Sequence, residues 1–251
     1  MTMALVAPRV IICLVILPGF GLNVLTGTAR YLAAMSIALP AALPTFYYIQ
    51  ETPPDFILAG VLVIKEAMVG LLLGVMTSIP FWVVQSVASI VDSQRAAVQV
   101  QANNSAVDRD ASALGGMLIQ AVVVVMVQAG LFVALARILI ESYGVWPAHH
   151  FTPPFEPGHI DVLIKRFAEF FWYTIVYGAP IIIPLLFIEF AFAMIGVFAS
   201  GLQVTSSSAP IKSLTALFIV LAFWPTLSHY LAGDFARLLD IMAELLQVSP
   251  T

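Results

Sequence analysis

The chain has 251 residues, of which 61% are hydrophobic and 10% are charged, and its formal net charge is −4. Soluble domains are nearer half apolar and a quarter charged, so a mean hydropathy of +1.01 predicts an integral membrane protein or a subunit that its neighbours cover as fully as lipid would. The small, scattered charge gives no indication of nucleic-acid binding, and the single cysteine, Cys13, excludes an intrachain disulfide and a cysteine metal cluster. This length predicts one helical unit over residues 1–251.

The first two apolar segments both contain prolines. The first is predicted over residues 10–25 and is expected to be retained, because no small-residue signal-peptide cleavage site precedes Pro18. The second covers residues 31–50. Its two prolines, Pro40 and Pro44, argue against a straight helix that faces lipid.

The third apolar run covers residues 56–91, which is longer than the roughly 20 residues that one bilayer crossing needs. Lys65 and Glu66 interrupt it, and a charge at the centre of a membrane helix costs about 2.5–3.5 kcal/mol on insertion scales. We therefore expect this pair to lie near a membrane boundary or to find partners inside protein. Pro80 is predicted to break the run and to leave residues 81–91 as a separate limb.

Glu66, Gly70 and Gly74 recur at a spacing of four residues, which places them on one face of a helix. Two glycines at this spacing let a second helix backbone approach closely. The spacing is common by chance in apolar runs, so it is weak evidence on its own.

The longest polar passage runs from residue 90 to residue 116 between two charge-free apolar runs. Asp92, Gln94 and Arg95 open it, and residues 92–112 are predicted to form a polar hairpin. Such an insert must lie in water, in a protein-lined cavity or against a partner. Two interpretations remain open: an ordinary solvated loop between transmembrane helices, or a hairpin that lines or closes a passage, with these three side chains near its tip.

A fourth apolar segment is predicted over residues 112–142, and a loop rich in proline and histidine follows over residues 143–159. The loop contains His149, His150 and His159, three residue types that bind metals. Adjacent histidines do not project to one point on a helix, and no carboxylate stands at helical ligand spacing. We therefore expect neither a metal nor another cofactor there.

The fifth apolar segment, residues 161–202, contains Glu189 with no basic residue near it in the sequence. An unpaired carboxylate in lipid is costly, so Glu189 is expected to be neutral or paired. A polar break over residues 205–210 leads to Lys212, and a sixth segment covers residues 213–231.

The C-terminal stretch, residues 234–247, alternates apolar residues with Arg237, Asp240 and Glu244. This spacing predicts an amphipathic helix, which would lie on a membrane or pack on a partner.

Most of the apolar segments contain a proline, and several contain a charge. One such helix is tolerated in a bilayer when neighbouring helices satisfy the freed carbonyl groups. So many together predict an all-α, integral membrane-type protein of bent, proline-broken helical hairpins that pack against other subunits over much of their surface. In that packing we expect Glu66, Glu189 and Lys212 to form polar contacts between helices or between subunits.

Five short motifs occur in order along nearly the whole chain. They read KExxxGxxxG at 65–74, IVDSQR at 90–95, SALGG at 112–116, SYGVWP at 142–147 and PIKSL at 210–214. No single motif is specific, but in this order they resemble the T subunit of the type III secretion export gate, a group related to a flagellar export protein. The chain departs from that family at residues 199–204, which read ASGLQV where the family carries A-P-Q-x-N-V.

The resemblance implies a non-enzymatic subunit that assembles with several R and S subunits into a closed, hetero-oligomeric helical ring, through which unfolded secreted substrates enter. It also implies contacts with the U and V subunits, the inner rod protein and membrane lipid. The expected location is the bacterial inner membrane as a multi-pass protein, held largely at the periplasmic side within the assembled ring. The candidate assembly or pore residues are Lys65, Glu66, Gly70, Gly74, Asp92, Gln94, Arg95, Glu189 and Lys212.

Other functions compete with this interpretation. The forms Gln94-Arg95 and Trp146-Pro147 favour an injectisome over a flagellar export gate, which is the nearest alternative. A solute transporter should show an internal repeat with paired broken segments, and the two halves show no convincing repeat. An intramembrane protease needs a catalytic pair or zinc motif, but Ser228 and His229 are adjacent and no H-E-x-x-H occurs.

Overall fold

A computed structural model of the chain describes residues 2–18, 27–96, 113–151, 158–198 and 204–245, and its regular secondary structure there is entirely helical. The helices are α1 (Thr2–Ile16), α2 (Gly27–Glu51), α3 (Phe56–Ala96), α4 (Ala113–Gln128), α5 (Leu131–Val145), α6 (Gly158–Phe198) and α7 (Val204–Leu245). Among the described residues, four helices are long and apolar enough to cross a membrane, and α4 with α5 adds a fifth span if the bent pair counts as one. The prediction of an all-α, integral membrane-type fold is therefore confirmed.

Three of the helices are much longer than one membrane crossing. α3 and α6 each have 41 residues, and α7 has 42. At 1.5 Å per residue each extends about 60 Å, roughly twice the thickness of the hydrocarbon core of a bilayer. Part of each helix must therefore lie outside the hydrocarbon layer or be covered by protein.

The prolines do not end these helices. The described prolines inside helices are Pro8, Pro40, Pro44, Pro80, Pro180, Pro184, Pro210 and Pro225. The predicted break at Pro80 and the predicted polar break over residues 205–210 are therefore wrong, because α3 continues through the first and α7 begins at Val204. One proline removes one backbone hydrogen bond. In a helix of 41 or 42 residues, the remaining bonds and the packing of buried residues outweigh that loss.

The sharp bend lies at a glycine instead. α4 and α5 meet at 74°, and the two helices are separated only by Ala129 and Gly130. Gly130 has φ of 70°, a left-handed backbone conformation that glycine adopts without the steric penalty of other residues. The fourth apolar segment, predicted as one run over residues 112–142, therefore forms two helices.

The described residues divide into two compact units. The first takes its members from residues 1–80, 123–167 and 232–251, and the second from residues 81–122 and 168–231. α3, α4, α6 and α7 each contribute residues to both units. In the first unit, α1 packs on α2 and α2 packs on α5.

The C-terminal part of α7 has one apolar face and one polar face. Phe235, Leu238 and Met242 are buried, whereas Arg237 and Asp240 are exposed. The predicted amphipathic stretch thus continues α7 rather than forming a separate helix, and the described part of it belongs to the first unit.

Candidate functional site

A fully buried ion pair lies at the centre of the first unit. Arg9 of α1 and Glu66 of α3 are both 0% exposed. The Nε of Arg9 donates to Oε2 of Glu66 at 2.8 Å, and its Nη2 donates to Oε1 at 2.8 Å. This bidentate geometry matches the planar guanidinium to the carboxylate and joins α1 directly to α3.

The same guanidinium also joins α5 to the pair. Its Nη1 donates to the Oγ of Ser142 at 3.0 Å, and its Nη2 donates to the carbonyl oxygen of Trp146 at 2.8 Å. The ring of Tyr143 lies below the guanidinium, with 4.1 Å between the ring centroid and Cζ, and the Tyr143 hydroxyl donates to the carbonyl oxygen of Val6 at 2.7 Å. Arg9 therefore has partners on α3, on α5 and at the start of the loop that follows α5.

Lys65 attaches the loop after α5 to the same carboxylate. Its Nζ lies 2.6 Å from Oε1 of Glu66. It also donates to three carbonyl oxygens of the loop, those of Pro147 at 3.0 Å, Ala148 at 3.3 Å and His150 at 3.0 Å. The loop wraps the ammonium group, and the indole of Trp146 lies 5.1 Å from it. We call Arg9, Lys65, Glu66, Ser142 and the loop 146–150 the buried charge cluster.

The cluster holds two cations and one anion away from water. Burying a charge is costly unless it is paired and hydrogen-bonded. Here the carboxylate meets both cations, and the excess positive charge is met by the carbonyl oxygens of the loop and by Ser142. These bonds join α1, α3, α5 and the loop after it, so the arrangement suits holding helices in place.

Glycines on α3 let α1 come close enough for this pairing. A β-carbon on Gly70 would lie 2.8 Å from the Cα of Arg9 and closer still to its carbonyl oxygen, and one on Gly74 would lie 3.0 Å from the Cα of Cys13. The Oγ of Ser78 then donates to the carbonyl oxygen of Ile16 at 3.3 Å. The helix that approaches the GxxxG face is thus α1 of the same chain, with Arg9 and Cys13 in register with the two glycines.

The two adjacent histidines of the loop pack against neighbouring rings. The ring of His149 stacks on Tyr48 of α2, with centroids 4.0 Å apart, and lies 4.6 Å from the ring of His150. Burial lowers the pKa of His149, and the electrostatic influence of nearby His150 and Lys65 lowers it further. Within the described residues no three histidine, cysteine, aspartate or glutamate side chains are placed to share a metal, and the side chain of His159 lies outside them.

Glu189 and Lys212 form a second charged pair, in the second unit. The Nζ of Lys212 in α7 lies 3.3 Å from Oε2 of Glu189 in α6. The two side chains differ in exposure, because that of Lys212 is 2% exposed and that of Glu189 is 50% exposed. The partner that the sequence near Glu189 lacks comes from the next helix.

The structure therefore brings together four of the nine predicted residues, Lys65, Glu66, Gly70 and Gly74, and separately pairs Glu189 with Lys212. Asp92 and Gln94 lie near the end of α3 and are partly buried. The side chain of Arg95 and residues 97–112 lie outside the described residues, so the hairpin over 92–112 stays a prediction.

Sequence reasoning missed Arg9, the hub of the cluster. A signal was present, because Arg9 is the only charged residue before Arg30 and Glu66 stands in an equally apolar run. Two isolated opposite charges in apolar segments favour pairing with each other. Ser142 and Trp146 belong to the SYGVWP motif, but nothing local in the sequence indicates that they accept hydrogen bonds from α1.

Comparison with known proteins finds similarity along nearly the whole chain. Residues 1–238 match the family model described as "Bacterial export proteins, family 1". The chain is 31% identical over 233 residues to Yop proteins translocation protein T of Yersinia pestis, which covers 91% of this chain and 88% of that protein. Arg9, the cluster and Lys212 all fall within the matched residues.

Two further relatives agree with this match. Surface presentation of antigens protein SpaR of Salmonella typhimurium is 30% identical over 213 residues, 83% of this chain and 77% of that protein. Secretion system apparatus protein SsaT of the same species is 27% identical over 206 residues, 78% of this chain and 76% of that protein.

Proposed function

The chain belongs to the bacterial export proteins of family 1, and from this membership we propose that it is a structural subunit of the export gate of a type III secretion system. The observation that carries the proposal is the similarity to a translocation protein T over 91% of the chain. The role is a non-enzymatic one, in which the chain contributes surface and shape to an assembly.

Within the gate, we propose that the chain assembles with R and S subunits around the portal that admits unfolded substrates, and that it contacts the U and V subunits and the inner rod. Large apolar side chains on α2, α6 and α7 support this, since many are exposed in the isolated chain. Contiguous exposed apolar surface on a protein marks a place that lipid or a partner covers.

The buried charge cluster gives this role a physical basis. It ties α1, α3, α5 and the loop 146–150 into one arrangement before any partner arrives. A subunit whose binding faces are already in place loses less conformational freedom on assembly. The cluster is thus proposed to preorganise the first unit for the gate.

Many apolar helices in a family of export proteins indicate a multi-pass protein of the inner membrane. We propose that in the assembled gate much of the chain is held at the periplasmic side of that membrane. The length of α3, α6 and α7 supports a position partly outside the lipid, because each has 41 or 42 residues and exceeds the span of the lipid.

Deleting the coding sequence tests the proposed function. In a strain that has both an injectisome and flagella, we expect the deletion to abolish secretion of type III substrates into the medium and to leave swimming intact. The names of the relatives, a translocation protein and a secretion apparatus protein, support the injectisome. Restoration by the intact chain is the control. Unchanged secretion would refute the proposal, and loss of swimming alone would assign the chain to a flagellar gate.

A further inference from the structure

The C-terminal third of α6 carries an apolar surface that the described part of the chain leaves exposed. No residue from Leu186 to Phe198 is buried, although the stretch is apolar except for Glu189. At 1.5 Å per residue this part of the helix is about 20 Å long. Exposed apolar surface of this kind marks a place that lipid or another protein covers.

The carboxylate of Glu189 indicates whether lipid or another protein covers this surface. The Glu189 side chain is 50% exposed, and its described partner, Lys212, lies with its Nζ 3.3 Å from Oε2. A carboxylate has room for about four hydrogen bonds, so much of its capacity remains available. Leu186 and Phe190, which neighbour it along α6, are exposed apolar side chains and have no polar group to offer it.

Lipid is a poor cover for such a group. A half-exposed carboxylate in hydrocarbon is costly, and ionisable residues in membrane segments nearly always face protein or a water-filled cavity. The burial of Lys212 at 2% shows that the cationic side of the pair is already enclosed by this chain. Only the carboxylate of Glu189 remains exposed, so a hydrogen-bond donor from another molecule is needed to satisfy it.

We propose that the face of α6 around Glu189 is a subunit interface, covered by an apolar helix of another export-apparatus subunit that donates a hydrogen bond to the Glu189 carboxylate. This rests on the proposed function as a gate subunit. The donor is an arginine, lysine or hydroxyl side chain set in an otherwise apolar helix, because it must meet a carboxylate surrounded by apolar side chains.

Small residues beside Glu189 fit this partner. Ala193 and Gly196 lie on the same face of α6 at the spacing of successive turns, and both are exposed. A β-carbon on Gly196 would meet nothing within 4 Å in the part of the chain that the structure describes. A partner backbone can therefore approach closely at this point.

The first test introduces a large side chain at a position where it would clash only with a bound partner. Gly196→Leu should leave the abundance of the chain unchanged but lower the amount of other apparatus subunits recovered with the tagged chain by about tenfold or more, which corresponds to about 1.4 kcal/mol. Gly233→Leu is the matched control: it also has open space around it, but it shares its helix face with the exposed charges of Arg237 and Asp240. Equal recovery with both variants would overturn the proposal.

The second test removes both charges and distinguishes a lipid-covered surface from one that a partner subunit covers. Glu189→Leu alone leaves Lys212 buried without its anion, so it is combined with Lys212→Met. If lipid covers this face of α6, the double variant should assemble as well as the unmodified chain or better. Under the proposal the donor of the partner loses its acceptor, and recovery falls about tenfold or more.

A photo-crosslinking residue at position 190 identifies the molecule that contacts this face of α6 in the assembled apparatus. The proposal predicts a crosslink to one apparatus subunit that disappears in the Glu189→Leu, Lys212→Met background. Crosslinks to lipid alone, while the tagged chain still recovers the other subunits, would overturn the interface and leave the proposed function standing. If the unmodified chain recovers no apparatus subunit at all, the proposed function itself fails and this inference fails with it.

Discussion

Replacing Glu66 with alanine is expected to destabilise the first unit strongly and thereby to impair assembly and secretion. The change leaves Arg9 and Lys65 buried without their shared anion. Removing one partner of a buried ion pair costs about 3–5 kcal/mol, which is a large part of the 5–15 kcal/mol that stabilises a typical protein. The variant chain should therefore be recovered from membranes in greatly reduced amount.

Cys13 reports directly on the state of α1 in this experiment. It is the only cysteine of the chain, it is buried, and it lies on α1 against Gly74. In the intact chain a maleimide should label it slowly, and in Glu66→Ala rapidly. Residual chain in the membrane is sufficient for this measurement, even where abundance falls.

Glu141→Ala is the matched control for the loss of a carboxylate. Glu141 pairs with Arg137 one helical turn away on α5 at 2.8 Å, but the two side chains are 25% and 56% exposed. Such a surface pair contributes at most about 1 kcal/mol, so abundance and Cys13 labelling should stay close to those of the intact chain. Normal assembly, secretion and Cys13 protection in Glu66→Ala would contradict the role of the cluster.

Replacing Gly70 with alanine should separate α1 from α3 although it adds only one methyl group. That methyl would overlap the backbone of Arg9, which cannot rotate away as a side chain could. Overpacking of this kind costs about 1–3 kcal/mol, and any shift of α1 also lengthens the hydrogen bonds from Arg9 to Glu66. We expect a lower melting temperature in detergent and faster labelling of Cys13.

Gly60→Ala on the same helix is the control for helix propensity. A β-carbon on Gly60 would meet nothing within 4 Å. Alanine is more favourable than glycine in a helix interior by about 1 kcal/mol, so this variant should be as stable as the intact chain or more so. If the two alanine variants behave alike, α1 does not pack on the glycine face.

The sequence predicts well those features that depend on local periodicity. The face made by Glu66, Gly70 and Gly74 follows from their spacing alone, as does the amphipathic end of α7. The isolation of Glu66 and Glu189 in apolar runs correctly indicates that each needs a partner. What the sequence does not identify is the partner, because Arg9 is 57 residues from Glu66 and only the packed fold brings them together.

The proline and glycine positions show where local rules fail. Pro80 lies inside a helix of 41 residues, whose other hydrogen bonds and buried side chains hold it together. Gly130 marks the 74° bend, but glycine is compatible with either sign of φ, so its identity does not reveal the turn. Both outcomes depend on tertiary packing, which no local pattern contains.

The most direct measurement is native mass spectrometry of the tagged chain, purified in mild detergent from cells with and without the rest of the apparatus. We predict a single defined complex that contains several other export-apparatus subunits when they are present, and no monodisperse species when the chain is made alone, because its exposed apolar helices lack their covers. A monodisperse single chain in both preparations, with no other subunit bound, would contradict this account.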